Sequence, residues 1–288
     1  MSTVLDEIRG TEEGVIEHAP FMQVVNGNTA AAKDFGLFIL ETEAKKVDFQ
    51  PRAGWKEHEK YFGSNTEPSK GYICQKPRLL LVRSGPLSMY TVDGEYLGVY
   101  DQEVRANLNP ILKTRYLVYI LDEANKPLHS KPITFTAKGA FGGSFGAAYK
   151  QFKLDVESVL NQRRTGEFWA YCVFEFEIKP VQKGKAPSMA WVSSVTNVTK
   201  PTIDTLSSLF VGLDKELKAQ IKEAYESNPN FGQYVVDDNQ EQPTAPSKVE
   251  RKPKNESDIE EFKKRIQTEI MLPDEDTTEV VDVEKIPF

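Results

Sequence analysis

Between residues 78 and 198 the hydrophobic and polar positions fall mostly at strand spacing. Arg78–Arg83 is a short apolar run, and Leu87–Val92 meets Glu95–Tyr100 across Asp93-Gly94, a pair whose left-handed preference suits a hairpin turn. Arg115–Leu121 is apolar or aromatic on both faces, as a central strand is, and Asn125-Lys126-Pro127 breaks it before Ile133–Ala137. In Glu167–Ile178 every second residue from Phe168 through Ala170, Cys172, Phe174 and Phe176 to Ile178 is apolar. That spacing predicts one continuous strand with Trp169, Tyr171, Glu175 and Glu177 on its other face. Met189–Val198 reads as a further β-rich stretch.

Helical spacing appears twice. Phe141, Phe145, Tyr149, Phe152, Val156 and Val159 share one helix face, closed by the cationic Arg163-Arg164 and a stop at Gly166. A second helix is expected from Ile203 to Ser227, between Pro201 and Asn228-Pro229, with Leu206, Leu209, Phe210, Leu213, Leu217 and Ile221 as its stripe. Five or six strands with a helix inserted late in the series predict an α+β, mainly β fold. Its expected form is an OB-fold-like Greek-key barrel (oligonucleotide/oligosaccharide-binding) with added helices and a disordered acidic C-terminal tail. A β-sandwich with helices gives nearly the same string. The expected organisation is an acidic arm over 1–20, an OB-like β-rich domain over 21–200, a helical extension over 201–235 and a disordered tail over 236–288.

Charge sharpens that division. Residues 235–288 hold 15 acids against 8 bases and account for the whole net charge of −7, so the rest of the chain is neutral. Setting residues 1–17 aside leaves a body of about +4, which keeps a nucleic-acid partner open despite the acidic isoelectric point. Within the polar, aromatic-poor tail, Ser257 and Glu260 form a capping box, and Ile259, Phe262, Ile266 and Ile270 line one helical face.

Several function classes are excluded on residue grounds. Cys74 and Cys172 cannot build a secreted disulfide framework, and the acidic start is no export signal. Apolar runs such as Leu79–Val82 fall far short of the roughly 18 residues a membrane helix needs, so a soluble, cytoplasmic protein is expected. His18, His58, His129 and the cysteines show no metal-ligand spacing. Gly139, Gly142, Gly143 and Gly146 lack the Gly-Lys-Ser/Thr ending of a phosphate loop and read as a flexible strand-to-helix connection. With no catalytic carboxylate cluster or nucleophile–base spacing, no enzymatic activity, cofactor or metal is expected.

The end of the chain carries the most specific signal. Asp274-Glu275-Asp276-Thr277-Thr278-Glu279-Val280-Val281-Asp282-Val283-Glu284-Lys285 is an acidic run closed by Ile286-Pro287-Phe288. It resembles the C-terminal tip of bacterial single-stranded DNA-binding proteins, with Lys285 standing where that family has an acid and three valines diluting the run. The resemblance covers the last ten or so residues and the plan of β-rich body, linker and acidic tip. It implies a sequence-independent single-stranded DNA-binding protein of DNA replication, repair and recombination, whose tip binds genome-maintenance proteins through Asp282, Glu284, Ile286, Pro287 and Phe288. A homo-oligomer fits the same plan. An adaptor or decoy that uses the tip without binding DNA, and a strand-annealing recombination factor, are the alternatives.

A strand-binding body needs aromatic platforms for bases and cations for phosphates. Residues 105–170 carry ten bases against five acids. From these, Arg115, Lys138, Lys150 and Lys153 are the expected phosphate contacts. Trp169 and Tyr171, together with Trp55, Tyr61 and Phe62 from a polar segment, are the expected stacking rings.

Overall fold

The computed structural model describes residues 19–62, 66–184 and 189–233. The chain divides into two units, Met1–Tyr234 and Val235–Phe288, and every described residue belongs to the first. The expected tail over 236–288, its tip and most of the 1–20 arm lie outside the described residues.

The first unit is α+β and mainly β. Its strands are β1 (Phe21–Val25), β2 (Gly36–Leu40), β3 (Lys56–Lys60), β4 (Ser69–Cys74), β5 (Arg78–Ser84), β6 (Ser88–Tyr90), β7 (Tyr96–Val99), β8 (Ile111–Ile120), β9 (Ile133–Lys138), β10 (Val173–Glu175), β11 (Glu177–Lys183) and β12 (Ala190–Thr196). Ten of them form one mixed sheet in the order β10-β5-β8-β9-β1-β2-β4-β3, with β6 and β7 attached to the outer end of β8. Among the described residues only β1 and β9 pair in parallel; the other ladders are antiparallel. The path has two ends, β10 and β3, which do not pair with each other among the described residues. β11 and β12 make a separate two-stranded ribbon.

The helices are α1 (Glu41–Lys46), α2 (Gln102–Leu108), α3 (Gly139–Leu160), α4 (Ile203–Leu206) and α5 (Lys215–Glu226). The stripe predicted for the first long helix is the buried face of α3: Phe141, Phe145, Tyr149, Phe152 and Val156 all turn inward. Phe145 is the hub. Its ring lies 5.1–5.5 Å from those of Tyr116, Phe135, Phe174 and Phe176, mostly edge to face, an arrangement aromatic quadrupoles favour. The helix ends on Asn161, whose left-handed backbone (φ 48°) caps the last turn.

The 87–100 hairpin forms as β6 and β7, with Gly94 at φ +97° in its turn and a register shift beside Tyr90. Three expectations change. Gly139–Gly146 is no loop, because α3 begins at Gly139, whose φ of +57° is the only left-handed position among its four glycines. The continuous strand over 167–178 is broken. Gly166, also left-handed at φ +59°, opens a 3-10 turn over Gly166–Tyr171, held by Trp169 Nε1 donating to the Arg164 carbonyl at 3.2 Å. Strand pairing starts only at Val173, and the alternating Cys172, Phe174, Phe176 and Ile178 are buried as the pattern requires. The helix expected over 203–227 is also split. Between α4 and α5 the chain runs as an edge segment: Val173 N–H donates to the Leu209 carbonyl at 2.8 Å, and Val211 N–H to the Tyr171 carbonyl at 3.0 Å. Asp214 then caps α5 by accepting from the amides of Glu216 and Leu217 at 3.1 Å. Leu213, expected on the stripe, is 82% exposed.

Candidate nucleic-acid interface

Cations stand beside aromatic rings at several places among the described residues, and two of these bring predicted strand-binding residues together. The first is a cleft of about 360 Å³ where α3, β5, the 3-10 turn and α5 meet. Lys150 and Lys153, one helical turn apart, line it from α3, and Trp169 lines it from the turn. Lys153 Nζ lies 5.0 Å from the Tyr149 ring centroid and 5.8 Å from that of Trp169. The opposite wall is Arg83 and Tyr225. The Arg83 guanidinium stacks 3.4 Å from the Tyr225 ring centroid and donates to the Tyr225 carbonyl through Nε and Nη2, at 2.9 and 2.6 Å. Arg83 thus ties α5 to the sheet while its charge faces the cleft. Neither Lys150 nor Lys153 has an acidic partner among the described residues.

The second place is the outer end of β8. Lys113 and Lys138 are direct partners across the β8–β9 ladder, and Arg115 follows Lys113 on the same strand face. Tyr90 seats the Lys113 ammonium at 4.0 Å from its ring centroid and meets Tyr96 edge to face at 5.5 Å. Partial burial, then the neighbouring charges of Lys138 and Arg115, hold the Lys113 ammonium below its usual range. A wider cleft of about 690 Å³ between β3–β4 and β5 is electrostatically mixed: its Arg78 is ion-paired with Glu175, and both signs line its walls.

The nine predicted strand-binding residues therefore separate into groups. Lys150, Lys153 and Trp169 come together in the cleft, and Arg115 and Lys138 come together at the sheet end. Tyr61 is 61% exposed and stands apart from both. Phe62 packs on Phe38, with centroids 5.8 Å apart, as part of a small second core. Trp55 is core, 5% exposed and edge-on to Phe49 at 5.2 Å; the charged residues after it belong to the edge strand β3 and say nothing about its own ring. Tyr171 is also core: the 3-10 turn places it inward and its hydroxyl donates to the Glu167 carboxylate. Neither ring is available for stacking. Arg83, Tyr225, Lys113, Tyr90 and Tyr96 lie outside the predicted set: Arg83 meets Tyr225, and Lys113 meets Tyr90, through contacts between separated parts of the chain, and Tyr96 enters the second place through Tyr90 across the hairpin.

The rest of the chemistry is quiet. Burial pushes the Cys74 thiol up to about 11 and Cys172 to about 12, so both stay protonated near neutrality. Among the described residues no three His, Cys, Asp or Glu side chains gather as a metal site would require, and no helix is long and apolar enough to cross a membrane.

The family model described as "Domain of unknown function (DUF5895)" matches residues 17–244, which include the cleft and the cationic sheet end. The chain belongs to this family. A DUF5895 chain of this kind also resembles the uncharacterized protein 254L of Invertebrate iridescent virus 6, at 31% identity over 165 residues. That match takes in 51% of this chain and 49% of the viral protein, so the chain spans about half the length of that relative. No solved structure matches. The DUF5895 match stops before the Ile286-Pro287-Phe288 segment, so the resemblance of the tip rests on different residues from the family assignment.

Proposed function

We propose that this DUF5895 protein binds single-stranded DNA without sequence preference and recruits DNA-maintenance proteins through Asp282, Glu284 and Ile286-Pro287-Phe288. The observation that carries the reading is the cleft, where two cations without acidic partners among the described residues, Lys150 and Lys153, stand beside the half-buried ring of Trp169. Strand binders without sequence preference combine these two elements: cations track phosphates and an aromatic face accepts any base. The cleft volume, at the small end of the range for ligand sites, suits one nucleotide rather than a long groove. The finer description of the body as an OB-like module belongs to this proposal. Its support is the antiparallel β5–β8–β9 set with the long helix α3 following it. In this reading the protein is a binding module rather than an enzyme.

Titration of the full chain with fluorescent oligothymidylate tests the proposal. Affinity is expected to fall with salt at a log–log slope of roughly −0.7 per neutralised phosphate, and Trp169→Ala to weaken binding by about 1–3 kcal/mol. Absence of binding at low salt overturns it. Deleting Ile286-Pro287-Phe288 is expected to abolish capture of proteins that read the bacterial tip while strand affinity stays unchanged. Loss of both together would place the segment in the strand site instead.

A further inference from the structure

The outer end of the sheet carries an arrangement that folding alone does not explain. Where an antiparallel pair needs only a polar surface, opposite charges face each other, as Glu59 and Lys70 do across β3–β4 with an ion pair at 3.9 Å. Across β8–β9 the equivalent position holds Lys113 opposite Lys138, with Arg115 next along the same face. Like charges directly opposite in a sheet are destabilising. Among the described residues none of the three cations has an acidic partner to relieve the repulsion. Arg115 and Lys138 are exposed, and Lys113 is held partly buried on the Tyr90 ring.

We infer that Lys113, Arg115 and Lys138, beside Tyr90 and Tyr96, form a second contact surface that grips the phosphodiester backbone of a single strand. The inference deepens the proposed function and rests on it, but uses none of the cleft residues. Cations on one strand face repeat about every 6.5–7 Å, and a cross-strand partner lies about 5 Å away. Three of them therefore surround a short run of phosphates instead of a single anion. An acidic protein segment would satisfy the charges equally, but the two tyrosine rings in the same patch favour an occupant that also carries bases. Bound phosphate supplies the counter-charge that the described residues omit, which relieves the repulsion between Lys113 and Lys138.

The test compares the full-length wild type with Lys113→Gln/Lys138→Gln, with Arg115→Gln and with Trp169→Ala in titrations with oligothymidylate and with polyglutamate over a salt series. The double variant is expected to lose about tenfold or more in affinity at low salt and to show a salt slope shallower by about 1.4, for two phosphate contacts. Arg115→Gln should be shallower by about half as much. Thermal midpoints are expected to equal or exceed the wild-type value, which separates lost contact from lost fold. Wild-type affinity and slope in both sets of variants, with Trp169→Ala weakened, would leave the proposed function standing and overturn this inference. A wild type that binds no strand overturns both. Loss of polyglutamate binding with oligothymidylate binding unchanged would assign the surface to an acidic protein and likewise overturn it.

Discussion

The inner and outer halves of β8 meet opposite demands. From Tyr116 to Ile120 every side chain is buried, with Tyr116 against Phe145 on one sheet face and Tyr119 stacked 5.4 Å from His129 on the other. From Ile111 to Arg115 the same strand leaves the covering layers and becomes half-exposed and cationic. A strand pinned at one end by a dry, two-sided core can hold like charges in register at the other. A freely moving loop would separate those charges, because nothing would oppose their repulsion. The comparison separates residues that provide stability from those that spend it, and variants at the two ends should respond in opposite senses.

The largest effect belongs to the inner half. Phe145→Ala empties the position on which Tyr116, Phe135, Phe174 and Phe176 converge. A well-packed aromatic truncated to Ala costs about 3–5 kcal/mol. Chemical denaturation should show a loss of this size, and strand affinity should fall only in proportion to the unfolded fraction. A loss below about 1 kcal/mol would mean that the inner half is not what holds β8.

Next comes acid. His129 is buried beside the inner end of β8, its Nε2 accepting from Ile120 N–H at 2.9 Å while Nδ1–H donates to the Lys131 carbonyl. Both ring nitrogens are satisfied only in the neutral form, and burial pulls the pKa down from 6.5 to about 4. The unfolded chain therefore binds the proton more readily than the folded one. The stability tied to neutral His129 is complete above pH 6.5 and is lost as pH falls through about 4, by about 3 kcal/mol in all. Denaturation midpoints between pH 7.5 and 4 should fall more steeply in the wild type than in His129→Gln. Parallel pH profiles would show that the ring does not report on this end of the strand.

Much of the inner half was legible in the sequence. The stripe of α3 and the cores of β5, β8 and β9 follow from periodicity, because burial on a fixed face imposes a fixed spacing, and at the outer end the 87–100 hairpin follows from its Asp93-Gly94 turn. The failures share one cause, a local pattern settled by a distant partner. The alternation over 167–178 is real from Cys172 onward, but Gly166 turns the preceding residues into a 3-10 turn that docks on β5, β10's neighbour. Four of the ten sheet strands, β1 to β4, are not legible, because Gly36–Leu40 and its partners show no alternation and acquire meaning only when paired. The charges that follow Trp55 make it read as surface, although they belong to the edge strand β3. The sites were legible in pieces. Lys150, Lys153 and Trp169 lie close in the chain, whereas Arg83 meets Tyr225 from 142 positions away, and the register that sets Lys113 against Lys138 is fixed by the pairing of Tyr116 with Phe135.

The smallest effect is the one that most directly opposes the two halves. Lys138→Glu places a carboxylate opposite Lys113 and turns a cross-strand repulsion into an attraction, with no buried atom moved because residue 138 is exposed. Cross-strand charge pairs contribute about 0.2–1 kcal/mol, and exposure to solvent keeps the gain at the low end of that range. The variant should therefore unfold at a slightly higher denaturant concentration than the wild type at low salt. The difference should shrink toward zero as salt approaches 1 M, where screening acts over about 3 Å. Strand affinity should move the other way in the same preparation. A variant that is both less stable and weaker in binding would mean that Lys138 supports the start of α3 and not a ligand, and the division of β8 into a stabilising half and a binding half would fail at that residue.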